Sequence, residues 1–349
     1  MTAVGAPPSH QFDWMIAVNF RPHLAIDTDP ASVQQLMPPG ESERFEGIAF
    51  SAMGLMAIAT SESNSILLFR RRADGSYEET AYCRIGGASG LQYPHDVSFA
   101  TFGDTELLAV AQRGGAIALY VKNRDNDEFG GEPAFEISGP QARLAFSDGV
   151  AFVPPRNDHL AVCNLELSSI TFYPMLSLSP LRFATMPAFE LRHPSIRQPD
   201  GLAFSRHGRW LAVANHGNHS VSIFARSRGN GLGYDAEPVS VIRDRKLRHP
   251  HSVAFTPRGR HLVVTNAAAN YICAYAPKRD GRTIRWSKSA SSRTIAGDEA
   301  VFRDINARNK MEGGPKGVAI YQDRLAVCSP EFGVNIYRFH EGRRRRWPF

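Results

Sequence analysis

Six residues stand in equivalent places along the chain: Glu46, His95, Asp148, Asp200, His251 and Lys316. Each is followed by Gly, Asp or Ser, then a hydrophobic residue, then Ala or Ser. Three carboxylates, two imidazoles and an ammonium are groups that move protons, hold metal ions or pair with anions. Crowded carboxylates resist ionising unless a cation or hydrogen-bond donors compensate them. A divalent ion on Glu46, His95, Asp200 and His251 would do so and leave Lys316 to partner Asp148. Mixed imidazole and carboxylate ligands suit zinc, manganese or ferrous iron better than calcium. The plainer alternative is turn chemistry, with Asp or His bonding nearby backbone N–H groups, or charges solvated in a water-filled channel.

A second set lies farther along each repeat: Ser61, Gln112, Asn164, Asn215, Asn266 and Ser329. The amides of Gln112, Asn164, Asn215 and Asn266 can bind substrate hydroxyls or carbonyls, or cap a turn. Beyond them, loops carry Glu62, Arg113, Glu166, His216, His219 and Glu331. Arg113 with Lys316 is suited to a substrate carboxylate or phosphate. His216 and His219 share one turn with no third ligand nearby in sequence, which reads as loop polarity. The chain holds no GxSxG elbow, HExxH or phosphate loop, so no organic cofactor is evident.

These residues are positioned by a repeat. "EGIAFSAMGLMAIATSESNSILLF" from Glu46 recurs as "DGLAFSRHGRWLAVANHGNHSVSIF" from Asp200 and "HSVAFTPRGRHLVVTNAAANYICAY" from His251. Related lines start at His95, Asp148 and Lys316, with successive starts 49, 53, 52, 51 and 65 residues apart. Each line has three short apolar or β-branched runs separated by turns such as "RHGR" and "PRGR", which is strand chemistry. A fourth run, "TAYCRI", "PAFEIS", "AFELRH", "VSVIRD" or "SRTIAG", lies between lines. Four strands per unit at a period near 50 predict an all-β, six-bladed β-propeller. The sixth unit lacks a fourth strand, and "ASVQQLM" at 31–37 is expected to supply it and close the ring. The expected organisation is a leader at 1–30, one propeller at 31–340 and a basic tail at 341–349.

In that ring the six residues start the innermost strands and converge on one mouth of the channel. Glu46 would face Asp200, His95 would face His251 and Asp148 would face Lys316. The stretch "GDEAVFRDINARNKMEGGP" at 297–315 predicts a short helix capped by Asp298, with Phe302 and Ile305 on one side, Gly313 and Gly314 ending it, and the segment over the ring. "YPMLSLSPLRFATMP" belongs on the opposite face, as packing or an interaction surface.

Composition narrows the classes. The formal charge is +6, but "RRRR" at 343–346 supplies four of those charges and the body carries +2. No basic and aromatic residues interleave elsewhere, which argues against nucleic acid as partner. The longest apolar run, 47–59, is too short for a bilayer, and "MTAVGAPPSH" does not read as a signal peptide. Cys83, Cys163, Cys273 and Cys328 form no zinc spacing, and Cys163 and Cys328 sit in the matching phrases "LAVCN" and "LAVCS". Free buried thiols fit a reducing compartment, so the expected location is the cytoplasm.

"PDGLAFSRHGRWLAVAN" and "PHSVAFTPRGRHLVVTN" resemble the repeats of NHL, YVTN-type and lactonase-like propellers. "FEGIAF" and "PDGLAF" resemble inner-strand starts of the regucalcin/gluconolactonase group. The resemblance covers 31–340 and speaks to architecture, because one repeat serves enzymes, binding modules and scaffolds. It implies a metal-dependent lactone or ester hydrolase acting on a small polar, anionic substrate, although only part of that group's carboxylate-and-asparagine site is present. In that reading Asp148 or a ring histidine is the base, and Lys316 or Arg113 the anion partner. A metal-assisted lyase or isomerase needs the same parts. A non-catalytic propeller binding a protein or peptide is the alternative, and would present an apolar or aromatic face.

Overall fold

The computed structural model describes residues 21–36, 44–87, 90–123, 128–227, 233–280, 283–296, 299–329 and 333–344. Six antiparallel blade sheets follow one another along the chain, and a separate two-stranded ribbon, Pro277–Asp280 with Thr283–Trp286, lies within blade five. Their inner strands are Phe45–Phe50, Pro94–Phe102, Ser147–Phe152, Pro199–Phe204, Pro250–Phe255 and Val318–Tyr321. The second strands, such as Met56–Thr60 and His159–Asn164, are buried almost throughout. They read as continuous apolar runs because a neighbouring blade covers each face of the sheet. The buried apolar residues form six clusters, one in each interface between adjacent blades. Burial of this kind, at ~25 cal/mol per Å² of apolar surface, is what holds the blades together. Cys163 and Cys328 lie fully buried in two of these clusters.

The six-bladed, four-stranded architecture is the one the repeat predicts. In the sixth sheet, Gln34–Leu36 pairs with Val334–Ile336, and Arg21–Ile26 pairs with Phe339–Arg344. Both segments lie along the long last strand, Gly333–Arg344. Leu36 packs in the interface of blades six and one, and Leu24 in that of blades five and six. A paired strand lies within the stretch read as leader 1–30, and the last strand runs into the stretch read as tail 341–349, whose residues 345–349 lie outside the described ones. "YPMLSLSPLRFATMP" lengthens the third strand of blade three to Leu178 and returns as Leu181–Phe183, away from the ring.

Two local devices aim the ring residues. The register between inner and second strand slips at Phe45/Ile48, Pro94/Asp96, Ser147/Val150, Pro199/Leu202 and Pro250/Val253. Such a bulge re-aims the side chain it carries, here one of the ring residues. Two residues earlier, Tyr93, Phe146, Gln198 and His249 have positive φ of 57°, 49°, 46° and 48°. Glycine next in sequence serves close packing: a Cβ on Gly149 would lie 2.4 Å from the Asp200 carbonyl oxygen, and one on Gly201 2.6 Å from that of His251.

Candidate functional site

All six ring residues converge, as expected, but into the protein and not into a wet channel mouth. Glu46, His95, Asp148, Asp200, His251 and Lys316 are each no more than 5% exposed. Their pairing differs from the expected one. The Lys316 ammonium lies 3.0 and 2.8 Å from the Glu46 carboxylate oxygens, so it partners the neighbouring blade and not Asp148. Asp148 is instead held by Arg113, with Nε 2.6 Å from Oδ1 and Nη2 3.1 Å from Oδ2. His95 and His251 do face one another across the axis, with ring centroids 5.0 Å apart.

The remaining contacts make one network. Arg113 Nη2 lies 2.9 Å from His95 Nε2. A guanidinium only donates, so Nε2 holds a lone pair and Nδ1–H donates to the Asp148 carbonyl oxygen at 3.1 Å. His251 sits between two carboxylates, with Nε2 3.5 Å from Glu46 and Nδ1 3.6 Å from Asp200. Loop residues roof the ring. Arg44 Nε lies 3.1 Å from Glu46, and His216 Nδ1 3.5 Å from Asp200. The connection ahead of blade six forms a helix, Glu299–Arg308, and Asp298, its expected cap, lies outside the described residues. Its tail brings Glu312 to Arg44 at 2.8 Å and to Lys316 at 3.0 Å, so this segment does reach the ring.

Ionisation follows from these neighbours. Burial pulls the His95 imidazole down, and the Arg113 charge pulls it further, to about 3, so His95 is neutral. Burial and the Asp200 charge push Asp148 up to about 7 against the pull of Arg113. Burial also works against ionised Asp200, but His251, His216 and His95 outweigh it and hold that carboxyl below its usual range. Glu46 is likewise held well below its usual value, because Lys316 and the two histidines outweigh burial. His251 is raised, its burial overcome by Asp200 and Glu46.

Of the two roles the sequence allows the amides, the contacts are those of turn caps. Gln112 and Asn266 accept the backbone N–H of Gln92 and Arg248 at 2.6 and 2.8 Å. Asn164 and Asn215 do the same for Ala145 and Arg197 at 3.2 and 3.3 Å. The NH₂ groups of Asn164, Asn215 and Asn266 donate within the blade, to Thr171, Ser222 and the Tyr271 carbonyl among others. These four buried side chains clamp the turns that carry the ring residues. Among the loop residues, Glu62 and Glu166 are exposed and Glu331 lies outside the described ones. Sequence reading missed His249, whose ring lies 4.4 and 4.3 Å from those of His216 and His219. It also missed Arg44, Glu312 and Asp96, which stand outside the repeated position.

Two donor groups have the spacing of a metal site: Glu46 with His95 and His251, and His95 with Asp148 and Asp200, each with ligand atoms within 4.8 Å. The 3.5 Å edges from Glu46 to the histidines are near the ~3.4 Å expected between ligands of a tetrahedral ion with ~2.1 Å bonds. The charges do not fit. Lys316 stands 2.8 Å from the Glu46 oxygen that would ligate, and Arg113 takes the His95 Nε2 lone pair. With His251 charged, Lys316, Arg113 and His251 already balance Glu46, Asp148 and Asp200. The ring in this arrangement is compensated by its own cations. The cavity inside it, of about 10 Å³ and lined by five of the six, has room for one water.

Comparison with known proteins follows the architecture. The family model described as "Lactonase, 7-bladed beta-propeller" matches residues 195–298, which span blades four and five. No curated protein matches the sequence. Similar solved structures include a candidate 6-phosphogluconolactonase of Bacteroides uniformis, at TM-score 0.57 and 14% identity, covering 88% of this chain and 83% of that one. The propeller domain of Cps50 (Swd1) from Myceliophteria thermophila has TM-score 0.53 and 12% identity, covering 86% and 85%. A protein of unknown function from Desulfotomaculum acetoxidans has TM-score 0.53 and 10% identity, covering 82% and 79%. At these identities the structural likeness is one of fold. Among the described residues no helix is long and apolar enough to cross a membrane.

Proposed function

We propose that the ring face hydrolyses a lactone or ester carrying a negative charge. The observation that carries this reading is the split between the two central acid–base groups, with Asp148 raised to about 7 and His95 lowered to about 3. Titratable groups pushed apart in this way at a convergent cluster are a signature of acid–base sites. Above them, Arg44 and Arg113 remain 37% and 26% exposed, and offer guanidinium donors to a substrate carboxylate or phosphate. The match to a lactonase family model over two blades supports the choice of a cyclic ester.

In the mechanism that follows, Arg113 stays paired with Asp148, and Arg44 with the exposed edge of Arg113 holds the substrate anion. Ionised Asp148 then takes a proton from water, whose oxygen attacks the carbonyl carbon. The ring C–O bond breaks, and Asp148 returns the proton to the alkoxide. No step uses a metal, because the ring's cations occupy the places next to its donors. A second reading is favoured by one observation: every ring charge has a partner and the cavity holds no more than a water. In that reading the ring locks six blades together and the protein binds a partner without chemistry. Turnover of a panel of neutral and anionic lactones, with and without chelator, separates the two. Chelator-resistant turnover that Asp148→Asn abolishes supports hydrolysis. No turnover by well-folded protein on any member favours the lock.

A further inference from the structure

Below the ring the inner strands diverge into a funnel on the opposite face, a cavity of about 260 Å³. Its walls include Phe50, Phe152, Phe204, Phe255 and Ile320, and among its lining residues Asp96 is the charged one. Asp96 occupies the position that is glycine in blades one, three, four and six, and it lines both the funnel and the small cavity in the ring. It thus stands at the funnel's floor.

We propose that this funnel binds a small organic cation, an ammonium group on an apolar body the size of one ring, with the ammonium on the Asp96 carboxylate. The contrast with the ring carries the inference. Glu46 has Lys316, Asp148 has Arg113, and Asp200 has His251 and His216 within ion-pair distance. Asp96 accepts the Val150 N–H at 3.1 Å, and among the described residues no Lys, Arg or His lies within ion-pair distance of it, the His251 charge acting on it from farther away. Asp96 is half-buried, and a carboxylate partly withdrawn from water with no cation beside it attracts one. A cation arriving through the funnel supplies what the protein leaves out. The largely apolar walls, with Val97, Val150, Leu202, Val253 and Val318 beside the phenylalanines, take the apolar body. The volume lies just under the ~300–1,000 Å³ of sites for drug-sized ligands, which sets the ligand at about a single ring. The proposal concerns the face away from Asp148 and stands whether or not the ring is catalytic.

The test is calorimetric titration at pH 8 with phenethylammonium, phenethyl alcohol and phenylacetate as probes. The ammonium should bind at least ~10-fold tighter than the alcohol, as a charge-assisted hydrogen bond requires, and phenylacetate should not bind. Asp96→Asn should erase the preference for the ammonium. Ala254→Phe, which fills the funnel wall, should abolish binding of both. Absence of ammonium binding up to about 10 mM, equal binding of the alcohol, or preference for phenylacetate would overturn the proposal. If Asp96→Asn does not fold, undiminished ammonium binding by folded Ala254→Phe overturns it equally.

Discussion

Replacing Lys316 by Met tests the ring's charge compensation. The substitution leaves Glu46, which is fully buried, without the ammonium that contacts both of its oxygens. Truncating one member of a buried ion pair costs ~3–5 kcal/mol. Arg44 at 3.1 Å and the Ser61 hydroxyl at 3.3 Å remain beside Glu46, which sets the expected loss near the low end, about 3 kcal/mol. With an unfolding entropy of ~2.1 cal/mol/K per residue, a chain of this length should melt about 4 °C lower. The pH dependence has a definite sign. In the parent protein Glu46 is held well below its unfolded value of 4.5, so its contribution is present above that value and lost as pH falls below it. In Lys316→Met burial pushes Glu46 up, so the deficit should be full at pH 7 and shrink as pH falls toward 4. Denaturant unfolding across that range measures it, with the Glu46→Gln and Lys316→Met/Glu46→Gln variants closing the cycle. Coupling below ~0.5 kcal/mol, or a deficit independent of pH, would refute the reasoning.

Other expectations follow from the same contacts. Asn266→Ala removes the acceptor for the Arg248 N–H and should cost ~1–3 kcal/mol in denaturant unfolding while leaving KM for any substrate unchanged. Gly201→Ala places a Cβ 2.6 Å from the His251 carbonyl oxygen and should destabilise by ~1–3 kcal/mol, read as a lower Tm. Deleting residues 1–36 strips both partners from the last strand and empties the Leu24 and Leu36 sites, so cooperative melting should be lost. Unchanged melting of that variant would show that the ring holds without them.

The fold was legible because a fourfold strand pattern repeated six times has few ways to bury both faces of every sheet. Convergence of the six ring residues was legible for the same reason, since each starts an inner strand. Their pairing was not. Opposition across a ring is a statement about Cα positions, whereas Lys316 is long enough to reach sideways to Glu46 in the next blade. Arg113 reached Asp148 from a loop whose path the repeat does not fix. The four amides stayed open between substrate and turn cap because sequence shows where a side chain starts, not which N–H lies within 3.3 Å of it. Asp96 looked like an ordinary variant of the repeat's glycine, and its isolation shows only when the other carboxylates are seen with their cations. Among the histidines, His249 is thirty residues beyond His219, and only the packing of blades four and five brings their rings together.

The central claim is that Asp148 acts as the base at a self-compensated, metal-free ring. The most direct measurement is the pH–rate profile of the parent protein and of Asp148→Asn on an anionic lactone, each run with and without chelator. The account predicts a rate that rises through one ionisation near pH 7, is unaffected by chelator and is lost in Asp148→Asn. A rate that chelator abolishes, or one that Asp148→Asn keeps with the same pH profile, would contradict it.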